Sequence, residues 1–311
     1  MIRRVEPKWF ASFAMAVALS TAVMTGALRA AFSESISMED FYPGLATGTL
    51  KSASLADLSP PNVLVAGKIK IGESDLQDAI GNADPAVKEQ LKKNMIFLLE
   101  QMVTEQLILA EAREVVQDSK GMGDQEVVEV HLRGLAEKVT VSDEECKGFY
   151  EKNREMLPGV SFDQAKEAIR SYVLGQKRQA VIAQYIQGLG SRTSIQVDAA
   201  WVKAQSVVAL DNPLDKARRS GVPTLVEFGA TGCKPCDMMQ PILENLRKKY
   251  GQRLNVLFVH VGEEQVLAAR FGIEAIPVQA FFDRSGREAF RHEGFFPQEE
   301  VERKLKELGL P

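Results

Sequence analysis

Cys233-Lys234-Pro235-Cys236 lies between an apolar run and a run with helical periodicity, and this placement constrains the chain more than any other feature. Leu225-Val226-Glu227-Phe228 has the look of a buried strand. After the motif, Met239, Ile242, Leu243 and Leu246 recur at helical spacing, with Pro241 as a kink inside the pattern. The pair therefore sits at a strand-to-helix turn. There one thiol can attack a disulfide while the second waits one helical turn away. The helix N-terminus and the neighbouring Lys234 favour the thiolate of Cys233.

The chain has 311 residues and three cysteines, which suits two domains plus a leader and excludes a disulfide-stapled scaffold. A net charge of -4 without clustered basic residues argues against nucleic acid as a partner. Arg3, Arg4 and Lys8 precede Trp9–Leu28, a 20-residue stretch without a charge. Residues 1–31 are accordingly expected to be a signal peptide or a membrane anchor, with the rest of the chain exported. In an oxidising compartment a Cys-x-x-Cys pair suits redox chemistry better than metal binding. With no second such pair, and with His131, His260 and His292 scattered, no metal site is expected.

Residues 32–61, rich in Ser, Gly, Pro and Ala, are expected to be a tether. Residues 62–71 suggest two short strands or extended arms about Gly67, and Gly72–Leu76 a capped helix start. From Pro85 onward the apolar spacing predicts one helix of about thirty residues, about 45 Å long. Ser142 and Ser161 are expected to cap two further helices, the second closing at Gly188 and Gly190. Residues 62–205 thus form a mostly helical module. Met95, Met102 and Met122 suggest a polypeptide-binding groove there, although core packing is the commoner cause of such a stripe. Cys146, beside Glu144 and Glu145, is expected to be a small packing residue. From residue 206 the period changes. Strand-like runs at 225–228, 256–261 and 278–282 alternate with helical patterns, and Asp283–Gly286 signals a hairpin. The order predicts an α/β domain with a mixed sheet over 206–311.

On these residues the C-terminal part resembles the thioredoxin family. Cys233–Cys236 occupies the redox position, Pro241 the helix kink, and Phe271–Pro277 the segment that carries the family's cis-proline. Glu227, six residues before Cys233, matches the buried acid. The sequence departs from the family pattern at Gly229 and Gly232, where tryptophans are usual, at Asp237 in place of Lys, and at Phe258, where a lysine usually faces the acid. Residues 62 to about 200 are similar to the helical core of SurA-type periplasmic foldases. The similarity runs through Ile71–Leu76, Leu98–Ala112 and Val141–Asn153. No parvulin domain follows Asn153, since about ten residues cannot hold one.

The resemblance implies roles. Cys233 is the nucleophile, Cys236 the resolving thiol and Glu227 its proton acceptor. Ile276 and a cis Pro277, with Lys234 and Pro235 between the thiols, face the substrate. No cofactor is needed beyond the redox-active disulfide. The expected activity is thiol–disulfide exchange in the bacterial periplasm or on the exported face of the inner membrane. The expected partners are unfolded or cysteine-containing envelope proteins and a membrane or periplasmic redox partner. The alternative is a redox-inactive holdase or scaffold that uses the domain for docking.

Overall fold

The computed structural model describes residues 37–154, 157 and 159–310. The expected leader, and the first residues of the expected tether, lie outside them. Among the described residues no helix is long and apolar enough to cross a membrane.

The first part is mostly helical. A short helix α1 (Met38–Phe41) and a 3-10 turn (Thr49–Ser52) lead to β1 (Ser54–Ala56), β2 (Asn62–Ala66) and β3 (Ile69–Gly72). The last two form a hairpin through Gly67, whose φ of 60° explains the glycine. Helices α2 (Glu73–Asn82), α3 (Pro85–Lys93), α4 (Met95–Val115), α5 (Asp124–Ala136), α6 (Asp143–Lys152) and α7 (Phe162–Arg192) follow, then β4 (Ile195–Asp198) and α8 (Ala199–Ala209). Strand β4 closes a small sheet of order β1-β4-β2-β3. The core holds Leu64, Ile71, Leu76, Ile96, Leu99, Val103 and Val202. Asp75 caps α2 by accepting from the Gly72 amide at 2.7 Å. Ser142 and Ser161 each form a capping box, as their sequences predict.

Three expectations change. Residues 37–61 are folded against the helices, with Met38, Leu45, Leu50 and Ala53 buried. One anchor is Glu100 of α4, whose carboxylate accepts from the amides of Thr47 (3.1 Å), Gly48 (2.8 Å) and Leu50 (2.9 Å). The single long helix is broken at Asn94 (φ -125°, ψ 42°), whose side chain donates to the Gln90 carbonyl at 2.8 Å. Helix α7 runs past Gly188 and Gly190. A Cβ on Gly190 would lie 2.4 Å from the Thr49 carbonyl oxygen, so that glycine permits a close crossing rather than ending a helix. Met95 is in the core and Met102 packs against it, the core packing that is the commoner cause of such a stripe. Cys146 is buried with Tyr150, Ala165 and Ile169 between α6 and α7, the packing role expected of it.

The second part is α/β. Helix α9 (Pro213–Arg218) precedes β5 (Thr224–Gly229). Then come α10 (Lys234–Tyr250), β6 (Asn255–His260), α11 (Gln265–Arg270), β7 (Val278–Phe282), β8 (Glu288–Glu293) and α12 (Gln298–Glu307). The sheet order is β6-β5-β7-β8, with β5 parallel to β6 and antiparallel to β7. Strand alternation sends Leu225 and Phe281 toward α10 and α12, and Val226, Phe228 and Phe282 toward α9 and α11. The turn after β7 is held by Asp283, which accepts from the amides of Ser285 and Arg287. The two parts meet at a buried ion cluster. Asp215 accepts from Arg218 at 2.9 Å and Arg270 at 2.8 Å, and Arg270 also donates to the Gly44 carbonyl at 3.1 Å.

Candidate active site

Strand β5 ends and α10 begins within five residues, and the reactive groups cluster at this turn. Gly232 has φ 80°, a conformation that L side chains rarely adopt, so glycine suits the turn better than the tryptophan expected there. Cys233 is the N-cap of α10, and its Sγ accepts from the Cys236 amide at 3.3 Å. The two cysteines form a disulfide with their Cα atoms 5.2 Å apart. Cys236 is buried at 1 % exposure, whereas Cys233 is only half-buried. This asymmetry makes Cys233 the sulfur that an outside thiol or disulfide reaches. The first-turn amide and the helix dipole favour a thiolate there once the bond is reduced. Lys234 and Pro235 are exposed beside it in the first turn.

Glu227 lies two residues before Gly229 on the same face of β5. It is fully buried, and neither carboxylate oxygen has a hydrogen-bond partner. Burial pushes its pKa up to about 8, and the positive charge of Arg247 offsets this only in part. A carboxyl at that value is close to an ordinary thiol, so proton exchange with a cysteine is nearly balanced. Gly229 lets Cys236 approach: a Cβ at this position would lie 3.3 Å from the Cys236 Sγ and 2.9 Å from the Phe258 ring. The two departures at Gly229 and Phe258 are therefore complementary, the ring of one resting over the bare backbone of the other.

The peptide bond between Ile276 and Pro277 is cis. Val278 is the register partner of Phe228, so Ile276-Pro277 sits at the same end of the sheet as the cysteine turn. Pro277 is buried and Ile276 half-buried. The structure thus gathers Cys233, Cys236, Lys234, Pro235, Ile276 and Pro277 at one sheet end, with Glu227 beneath them in the layer under α10.

Two further residues belong to this region. Gln279 is the register partner of Glu227 across β5 and β7, fully buried, with neither amide atom bonded. Its signal was a single polar residue inside the apolar run Val278–Phe282. His260, at the end of β6, accepts through Nε2 from the amide of Thr231 at 3.1 Å and so braces the loop before Cys233. Only the pairing of β6 with β5 reveals that contact.

A family model described as thioredoxin matches residues 208–307. A thioredoxin from Staphylococcus saprophyticus is 37% identical over 95 residues, covering 30% of this chain and 89% of the relative. Thioredoxin Y, chloroplastic, from Oryza sativa is 33% identical over 99 residues, covering 32% of this chain and 56% of the relative. A chloroplastic thioredoxin-like protein from the same plant is 30% identical over 125 residues, covering 39% of this chain and 47% of the relative. The chain spans about half the length of these two plant relatives.

Proposed function

We propose that this chain, which belongs to the thioredoxin family through residues 208–307, exchanges disulfides in exported proteins that its helical part recruits. Family membership supports thiol–disulfide oxidoreductase chemistry in general. One observation carries the reading to these residues: an accessible sulfur and a buried one share a helix N-terminus above an unpaired buried carboxyl.

In the reduced protein, the Cys233 thiolate attacks one sulfur of a client disulfide. The other client sulfur leaves as a thiolate and takes a proton. Glu227 accepts the proton of Cys236, whose sulfur then attacks Cys233. The Cys233–Cys236 bond closes and the second client thiolate departs, two electrons having passed to the client. Run backwards, the same steps oxidise a client dithiol. A membrane or periplasmic redox partner resets the pair and fixes the direction. The similarity of residues 62 to about 200 to SurA-type foldases, and the apolar leader before them, support recruitment of envelope proteins in the periplasm or at the inner membrane.

The test is trapping with Cys236→Ala in the host, followed by non-reducing gels and mass spectrometry. Mixed-disulfide adducts that vanish when Cys233 is also replaced are the expected result. A well-expressed variant without adducts overturns the enzyme reading and leaves a redox-inactive holdase or scaffold.

A further inference from the structure

Strand β8 is the last strand in its sheet, and among the described residues no strand pairs with its outer edge. Such an edge presents unpaired amides and carbonyls, a template for an extended peptide. Here the edge is neither open to bulk solvent nor covered. It forms one wall of a cavity of about 860 Å³ whose other wall is the α6–α7 hairpin. Phe149, Leu157, Ala168, Ile169 and Tyr172 line that second wall, facing Phe290–Phe295. Tyr172 is 45% exposed although its ring packs at 5.3 Å from that of Phe149, so the aromatic surface is presented rather than hidden. The charges at the rim, Lys152, Arg291 and Glu293, are of both signs, and the walls select for apolar character instead.

The cavity continues toward the cysteines. A second cleft of about 260 Å³ shares Gln176 and Glu293 with the first and extends to Glu274 and Ala275, next to the cis Ile276–Pro277 bond. Gly294, in the wall of the larger cavity, donates its amide to the Pro277 carbonyl at 2.8 Å. Among the described residues two side-chain bonds cross the neck, Gln176 to Glu293 (3.4 Å) and Gln179 to Glu274 (2.6 Å), both exposed and replaceable by water or peptide.

We infer that this trough between α7 and the outer edge of β8 docks an extended apolar or aromatic segment of the client, leading its cysteine to Cys233. The inference rests on the redox reading above, and it moves client recognition from the methionine helices to the seam between the two parts. The six residues of β8 set the scale. A strand of that length spans about 20 Å, so the trough takes a segment of at most about six residues.

The test uses the full chain, reduced beforehand, and three thionitrobenzoate mixed disulfides: free cysteine, a peptide with Leu-Phe-Leu-Phe six residues from its cysteine, and the same peptide with Ser-Gly-Ser-Gly instead. Attack of Cys233 on the cysteine sulfur releases coloured thionitrobenzoate, and Cys236 then frees the peptide thiol. The apolar peptide is expected to react about tenfold faster than its polar control below saturation, a difference of about 1.4 kcal/mol. Ala168→Arg, at an exposed wall position, is expected to erase that preference while leaving the free-cysteine rate unchanged. A cysteine-free Leu-Phe-Leu-Phe peptide is expected to compete with the apolar probe but not with the free-cysteine probe. That competition decides the matter even if the variant folds poorly. Equal rates for the two peptides, or absence of competition, overturn the trough while the redox reading stands. A free-cysteine rate no faster than that of Cys233→Ser overturns the redox reading itself. Concentration-dependent dimers that the peptide does not dissociate mean the trough is filled by a second copy, which also overturns the inference.

Discussion

Among the described residues two glutamates are buried, and they are buried in opposite ways. Glu100, in the helical part, accepts three backbone hydrogen bonds and clips the segment 47–50 onto α4. Glu227, in the sheet of the second part, accepts none. Burial raises the pKa of both, but at Glu100 the three amides pull it back, whereas at Glu227 only the distant charge of Arg247 does so. A buried carboxylate with its full set of donors serves architecture. One left without donors is held ready to change protonation state, which suits a site that must move a proton.

The largest expected effect is on the architectural side. Glu100→Leu leaves the amides of Thr47, Gly48 and Leu50 without their acceptor. At roughly 1–3 kcal/mol for each orphaned donor, some of them rescued by water, the loss is about 3–5 kcal/mol. Urea denaturation of the full chain measures it. The same substitution at Glu227 removes an unbonded polar group from an apolar layer and is expected to be neutral or stabilising at pH 8. Equal losses at both positions would break the comparison.

The next effect is a pH dependence. The folded pKa of Glu227, about 8, lies above its ordinary value of 4.5. Between these values the native state keeps a proton that the unfolded chain has released. Its contribution to stability is therefore complete below about pH 4.5 and is lost as pH rises toward 8. The total is about 3–5 kcal/mol. Stability curves of the wild type and of Glu227→Gln, both in the disulfide form, are expected to diverge across that window, with the variant the flatter. Parallel curves would mean that the carboxyl is solvated and not a proton reservoir.

Which features were legible follows from how far apart their causes lie in sequence. The cysteine turn, the capping boxes at Ser142 and Ser161 and the hairpin after Phe282 were readable because each is decided within a few residues. Glu227 was legible because a lone acid inside Leu225–Phe228 conflicts with its neighbours. Residues 37–61 were misread as a tether because their composition is that of a loop. What folds them down lies far away in sequence: Glu100, about fifty residues later, and Arg218 and Arg270, more than 170 residues later. The Asp215–Arg218–Arg270 cluster was invisible for the same reason: Arg270 reaches back 55 residues to Asp215. Asn94 interrupts an unbroken apolar rhythm, and periodicity alone does not register a local cap.

The smallest effect concerns Gln279, which tests how bare Glu227 really is. Its amide is the polar group directly across the strand pair from the carboxyl, yet it makes no hydrogen bond. Burying an unbonded amide costs stability, so Gln279→Leu is expected to stabilise the protein by about 1 kcal/mol at pH 5, where Glu227 is neutral. The same change removes a cross-strand dipole able to turn toward a carboxylate. The pKa of Glu227 therefore moves further up, and the alkaline limb of the exchange rate shifts to higher pH with it. A gain in stability without a shift of that limb would make Gln279 a packing defect. Both together would make it a positioning residue, set opposite the acid to keep its charged form within reach.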